Sequence, residues 1–112
     1  MGVTPEQAAL GLNEAGADVV GMNCSLGPDD MVGLVERMRQ VVSCPIVAQP
    51  NAGVPHLEDG ATVFDVTPEA FVNAMERIVD AGATILGGCC GTDPRFIAGL
   101  RDLIASRESV DA

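Results

Sequence analysis

The residues with the most chemical promise in this 112-residue chain are sulfurs. Cys89 and Cys90 stand side by side in Gly87-Gly88-Cys89-Cys90-Gly91, and Cys24 closes the stretch Gly21-Met22-Asn23-Cys24. Thiols in such a pattern can exchange as a redox pair, pack as small apolar side chains, or hold a metal. Zinc takes sulfur and nitrogen ligands in tetrahedral sites, closed by four protein ligands when structural and left one short when catalytic. Cys24, Cys89 and Cys90 would supply three sulfurs. A thiol entering the open position would lose its proton and become a nucleophile near neutral pH. A disulfide between adjacent residues closes a strained ring and restrains almost nothing. With no export signal, thiolate chemistry or metal binding is the stronger reading of the four cysteines.

No fourth ligand stands out. His56, the single histidine, reads as a solvated loop residue after another strand. Cys44 falls just before the Pro45 strand, at the opposite end of the sheet, and reads as a small buried apolar side chain. Asn23, beside Cys24, either ties the strand end to its neighbour or contacts substrate. Asn51 lies at the same rim, as a turn residue or a substrate contact.

The elements that must position these groups alternate. Thr4-Pro5-Glu6-Gln7 pairs an N-cap threonine with a proline at the first helical position and a capping-box glutamine. Thr67-Pro68-Glu69 repeats this and Thr92-Asp93-Pro94 varies it. A fourth helix opens at Pro28-Asp29-Asp30, its acidic first turn suiting the helix dipole. Apolar residues follow at helical spacing, as at Phe71, Met75, Ile78 and Val79, or Ile97, Leu100 and Ile104. Short apolar runs at Asp18–Met22, Pro45–Ala48 and Thr84–Leu86 predict strands, giving the order αβαβαβα and a parallel sheet covered by helices. Val54–Val66 is the longest stretch without periodicity and reads as an acidic loop at the catalytic rim. The faces bearing Glu36, Arg37 and Arg39, or Glu76 and Arg77, read as solvated.

An internal echo links the cysteines. Glu14–Cys24 (EAGADVVGMNC) aligns without a gap to Asp80–Cys90 (DAGATILGGCC), matching Gly16 with Gly82 and Cys24 with Cys90. The two copies are two βα units apart, so the cysteines come from alternate strands. Alternate strands of a βα barrel supply side chains to one layer, and chemistry sits at the C-terminal strand ends. Cys89 and Cys90 can share a target only if the strand has ended and the backbone turns, which Gly87, Gly88 and Gly91 permit.

A net charge of −10, from 16 acidic and 6 basic residues, opposes nucleic acid and anionic membrane surfaces as partners. No apolar run spans a bilayer and no signal peptide opens the chain, so a cytoplasmic protein is expected.

Three motifs then converge. Gly21–Pro28 (GMNCSLGP), Pro50–Pro55 (PNAGVP) and Gly87–Pro94 (GGCCGTDP) resemble, in order and spacing, the homocysteine S-methyltransferase family. The resemblance implies an α/β (βα)8 TIM barrel with zinc on Cys24, Cys89 and Cys90 and homocysteine sulfur as the incoming ligand. It implies methyl transfer yielding methionine, from a donor such as cobalamin or folate on a partner domain, betaine or S-methylmethionine. A complete barrel takes about 250 residues. The resemblance therefore makes residues 1–112 the C-terminal portion of a homocysteine-binding barrel, three strands equivalent to the sixth to eighth with flanking helices. The N-terminal portion, which supplies most groups for the amino-acid end of homocysteine, would be absent. The remainder of the barrel, or further copies of the chain, would be needed as partner. A catalytically silent subunit and a thiol redox protein are the competing expectations.

Overall fold

A computed structural model describes residues 2–24, 26–53 and 55–111. In chain order the elements are α1 (Pro5–Glu14), β1 (Val20–Asn23), α2 (Pro28–Arg39), β2 (Ile46–Gln49), β3 (His56–Glu58), β4 (Ala61–Val63), α3 (Pro68–Ala81), β5 (Ile85–Leu86) and α4 (Pro94–Asp111). The helix starts follow their sequence signals. Thr4 Oγ1 accepts the Gln7 N–H while Gln7 Oε1 accepts the Thr4 N–H, a complete capping box. Thr67 Oγ1 caps α3 at the Ala70 N–H. At α4 the capping side chain is Asp93, which accepts the Arg95 N–H, and Thr92 faces the cysteine turn instead.

Strands β1, β2 and β5 form one parallel sheet in that order, with Val20 opposite Ile46 and Met22 level with Ala48 and Leu86. Consecutive helices pack side by side, α1 on α2, α2 on α3 and α3 on α4, and so make a single layer. Ion pairs Glu6–Arg37, Asp29–Arg77 and Asp80–Arg107 bridge the three seams. The Arg37 guanidinium holds the Glu6 carboxyl below its ordinary range. Because side chains alternate along a strand, one face of the sheet meets that layer and the other does not. Val20, Ile46 and Ala48 are buried against Met31 and Val35 of α2, Phe71, Met75 and Ile78 of α3, and Phe96 and Leu100 of α4. Phe71 and Phe96 meet edge to face, their centroids 5.2 Å apart, and join α3 to α4.

The opposite face carries Gly21, Val47 and Ile85 at one level and Asn23 and Gln49 at the next. It is open: Val19 is 41% and Ile85 43% exposed. Parallel sheets are ordinarily covered on both faces. Here the molecule is a slab of 46 × 42 × 19 Å, with β1 and β5 each pairing on one side among the described residues.

Two expectations are corrected. Residues 54–66 are not an aperiodic loop, for β3 and β4 form an antiparallel hairpin with His56 opposite Val63; Val54 itself lies outside the described residues. Asp59 and Gly60 both have positive φ, 51° and 82°, as a type I′ turn requires. Asp-Gly between short strands is the sequence signal for that turn, masked by the polar residues around it. Arg39, expected on a solvated face, is half-buried and donates to the carbonyls of Gly82, Val42 and Cys44. It locks the end of α2 to the end of α3 and to the chain entering β2. Among the described residues no helix is long and apolar enough to cross a membrane.

Candidate metal centre

The three thiols meet because the central strand holds both flanking loops. The Cys24 N–H donates to the Gln49 carbonyl at 3.0 Å, one rung beyond β1. Cys24 then takes φ 58°, in the left-handed region, and turns the chain out of the sheet. On the other side the Cys89 N–H donates to the Pro50 carbonyl at 3.0 Å, and the Cys90 carbonyl accepts the Ala52 N–H at 2.9 Å. The segment after β2 thus goes on pairing with the segment after β5 although neither is regular strand.

Asn51 is the buried polar residue of this segment, 4% exposed. Its backbone N–H donates to the Leu26 carbonyl at 2.9 Å, in the loop that follows Cys24. Its Oδ1 accepts the Cys90 N–H at 3.1 Å. One residue therefore fastens the Cys24 loop and the Cys90 loop to the same strand end.

The adjacent cysteines share a target through a turn at Cys89–Thr92, where the Cys89 carbonyl accepts the Thr92 N–H at 3.2 Å and the Thr92 hydroxyl at 2.6 Å. Gly91 supplies the positive φ, 82°, and its missing Cβ makes room for the Phe64 ring. Gly87 and Gly88 are glycine for space rather than for turning: a Cβ would crowd the Gln49 and Thr92 side chains respectively.

Cys24, Cys89 and Cys90 place their sulfurs within 4.8 Å of one another, with Cys24 Sγ and Cys90 Sγ 3.6 Å apart. A tetrahedral zinc with bonds of about 2.3 Å separates its sulfurs by about 3.8 Å, so the donor set fits that ion. Hydrogen bonds to the Cys24 and Cys89 thiols, with repulsion between the sulfurs, push the Cys90 thiol up to about 11. A cation among the three would reverse that, because it favours thiolate. Among the described residues none of the four cysteines is joined to another by a disulfide.

Of the remaining expected residues, Asn23 is exposed at the end of β1, its Nδ2 4.0 Å from Cys89 Sγ. His56, on the exposed hairpin strand β3, lies between Glu58 and Asp65 at 3.5 and 3.4 Å, outside the sulfur cluster. Cys44 is half-buried against the core before β2, near Arg39 and away from the other thiols. Sequence reading passed over Gln49, which ends β2 level with Asn23 on the open face. Its signal is the same as that of Asn23, an amide closing an apolar strand.

A parallel βα sheet with a cysteine cluster beyond its C-terminal strand ends defines an α/β protein with a thiol-based, metal-competent site. The sequence model of the homocysteine S-methyltransferase family matches residues 1–104, and the chain belongs to that family. It is 29% identical over 100 residues to a methionine synthase of Mycobacterium tuberculosis, covering 88% of this chain and 8% of that protein. It is 37% identical over 94 residues to a selenocysteine Se-methyltransferase of Brassica oleracea var. italica, covering 81% of this chain and 27% of the relative. Homocysteine S-methyltransferase 2 of Arabidopsis thaliana is 36% identical over 94 residues, at 81% and 28%. The chain thus spans between 8% and 28% of the length of these relatives.

Proposed function

We propose that this chain is the C-terminal, metal-binding part of a (βα)8 barrel that transfers a methyl group to the thiol of homocysteine, giving methionine. Zinc would be held by Cys24, Cys89 and Cys90. The observation that carries the reading is the convergence of three sulfurs, within 4.8 Å, from loops following β1 and β5. A bound zinc supplies a position where an incoming thiol gives up its proton. Asn51 and the carbonyls of Gln49 and Pro50 fix the cysteine backbones so that the three sulfurs converge without the ion. Preorganisation of this kind lowers the ordering cost of binding. The acceptor sulfur attacks the methyl carbon in line: the new S–C bond forms as the donor–methyl bond breaks, its electron pair staying with the donor.

The donor would be bound elsewhere, on a cobalamin- or folate-carrying domain or as a small molecule. Zinc content of the purified chain, compared with that of Cys90→Ala, tests the reading; equal occupancy in both would remove it.

A second reading rests on the open sheet. β1 and β5 lack outer neighbours among the described residues, and Val19, Ile85, Ile97 and Ile104 expose apolar surface. Edges of this kind invite another polypeptide. In this reading the chain is catalytically silent until further strands, from the rest of a barrel or from other copies, complete it. Methyl transfer to homocysteine by the isolated chain would refute it.

A further inference from the structure

The antiparallel hairpin that follows β2 buries little, and its exit is nevertheless fastened to the metal centre. None of the residues of β3 and β4 is buried, Leu57 is 76% exposed, and the two strands pack chiefly on each other. Ordering such a segment costs backbone entropy that burial of its own side chains does not offset. What it delivers lies at its end. The Val66 N–H donates to the Ala52 carbonyl at 3.1 Å, and the Ala52 N–H donates to the Cys90 carbonyl at 2.9 Å. Ala52 thus joins the hairpin exit to a cysteine, and Val66 packs on Gly53, where a Cβ would come within 2.9 Å of its Cγ2. Two residues before Val66, Phe64 lays its ring on Gly91: a Cβ there would overlap three of the ring carbons. Phe64 is half-buried and also packs against the core.

Resting on the proposed metal reading, we infer that Phe64 is a positioning residue for the metal centre, clamping the Cys89–Thr92 turn so that Cys90 keeps its sulfur at the cluster. The turn needs a clamp. Cys90 is exposed, so water competes for the two bonds that hold its backbone, from its N–H to Asn51 Oδ1 and from the Ala52 N–H to its carbonyl. The next residue is glycine at φ 82°, and glycine gives up more backbone freedom on ordering than any other residue. A ring pressed on Gly91 excludes the other backbone states of the turn by volume. It also shields the neighbouring bonds from water, which strengthens them. Gly91 is therefore required twice, for its positive φ and for the bare surface that receives the ring. Metal and hairpin are then linked: whatever the clamp adds to metal affinity, the metal adds to the stability of the clamp.

The test uses the full 112-residue chain and cobalt(II), whose charge-transfer bands report thiolate ligands. Cobalt affinity is titrated for wild type, Phe64→Ala and Phe64→Tyr, and amide exchange of the hairpin is followed by mass spectrometry with and without cobalt. Phe64→Ala should weaken cobalt binding about tenfold, as for a residue that orients a ligand. Phe64→Tyr keeps the ring and should stay within about twofold of wild type. Cobalt should slow exchange in the wild-type hairpin by about the same tenfold, and that slowing should vanish in Phe64→Ala. A ring that served packing alone would destabilise the chain on removal and leave both cobalt readouts where they were; that result would overturn the inference. So would equal losses in Phe64→Ala and Phe64→Tyr, or wild-type hairpin exchange indifferent to cobalt. If wild type shows no thiolate bands with cobalt, the metal reading itself fails and this inference falls with it. Folding of each variant is read from circular dichroism; Phe64→Leu replaces a Phe64→Ala chain that does not fold, and the same outcomes apply to it.

Discussion

The two ends of the sheet are held by opposite means. At the end where strands begin, one charged side chain, Arg39, donates to three carbonyls and joins α2, α3 and the entry to β2. At the end where strands finish, the locks are single bonds from the segment after β2 to the loops that bear sulfur. The first arrangement ties helix ends and strand starts, and the one thiol there, Cys44, stands apart from the sulfur cluster. The second fixes the backbone of each cysteine while its sulfur stays accessible, half-buried for Cys24 and Cys89 and exposed for Cys90. In βα folds the strand-end loops carry chemistry and the strand-start end carries stability, and the contrast here shows how that division is made from hydrogen bonds.

Breaking the chemical end should leave the fold standing. Cys90→Ala removes one sulfur from an exposed turn whose backbone bonds to Ala52 and Asn51 do not depend on the side chain. Zinc affinity, measured by chelator competition, should fall by more than about 100-fold, since even partners outside the ligand set are worth 10–100-fold. The thermal midpoint of the metal-free chain should not move. Arg39→Met reverses the pattern. Three carbonyls lose a charged donor, so the metal-free chain should lose about 2–3 kcal/mol in urea denaturation, with zinc affinity of the folded protein unchanged. If Arg39→Met weakened zinc binding as strongly as Cys90→Ala, the two ends would be one cooperative unit and the division would collapse.

Asn51 is where the two roles meet, and its variant sharpens the comparison. Asn51→Ala deletes the acceptor for the Cys90 N–H and keeps the backbone bond to Leu26. Zinc affinity should drop about tenfold, as for a partner that orients a ligand. Stability should fall by about 1 kcal/mol, the net worth of a buried hydrogen bond. An effect on stability alone would make Asn51 a turn residue and nothing more.

The cysteine trio was legible because its signal is local and duplicated. The echo between Glu14–Cys24 and Asp80–Cys90 pairs Cys24 with Cys90 and Asn23 with Cys89, the same pairs whose side chains approach in the structure. The helix starts were legible for a similar reason, because capping chemistry acts within four residues. What the sequence hid depends on distant partners. Arg39 looks solvated from its helix, and its carbonyl acceptors include Gly82, 43 residues on. Gln49 looks like any strand-final polar residue until the register sets it beside Asn23 and over Gly87. The strands of the hairpin at His56–Val63 are three residues each and almost wholly exposed, too short for an apolar alternation to mark them, and the Asp59-Gly60 turn was the local sign.

The smallest expected effect tests whether location at the metal end is enough to matter. Thr67 caps α3, which starts on the side of the sheet where the cysteines lie, and its Oγ1 accepts the Ala70 N–H at 3.2 Å. Among the described residues no hydrogen bond joins it to the segment after β2 or to either cysteine loop. Thr67→Ala should therefore cost about 1 kcal/mol of stability, as N-cap losses do, and leave zinc affinity where it was. The prediction separates two accounts of the metal end. If the sulfurs are aligned by the particular bonds from Gln49, Pro50, Asn51 and Ala52, loosening a nearby helix start does nothing to the ion. If they are aligned by the general rigidity of that end, Thr67→Ala should weaken zinc in proportion to the stability it removes, and chelator competition would show the loss directly.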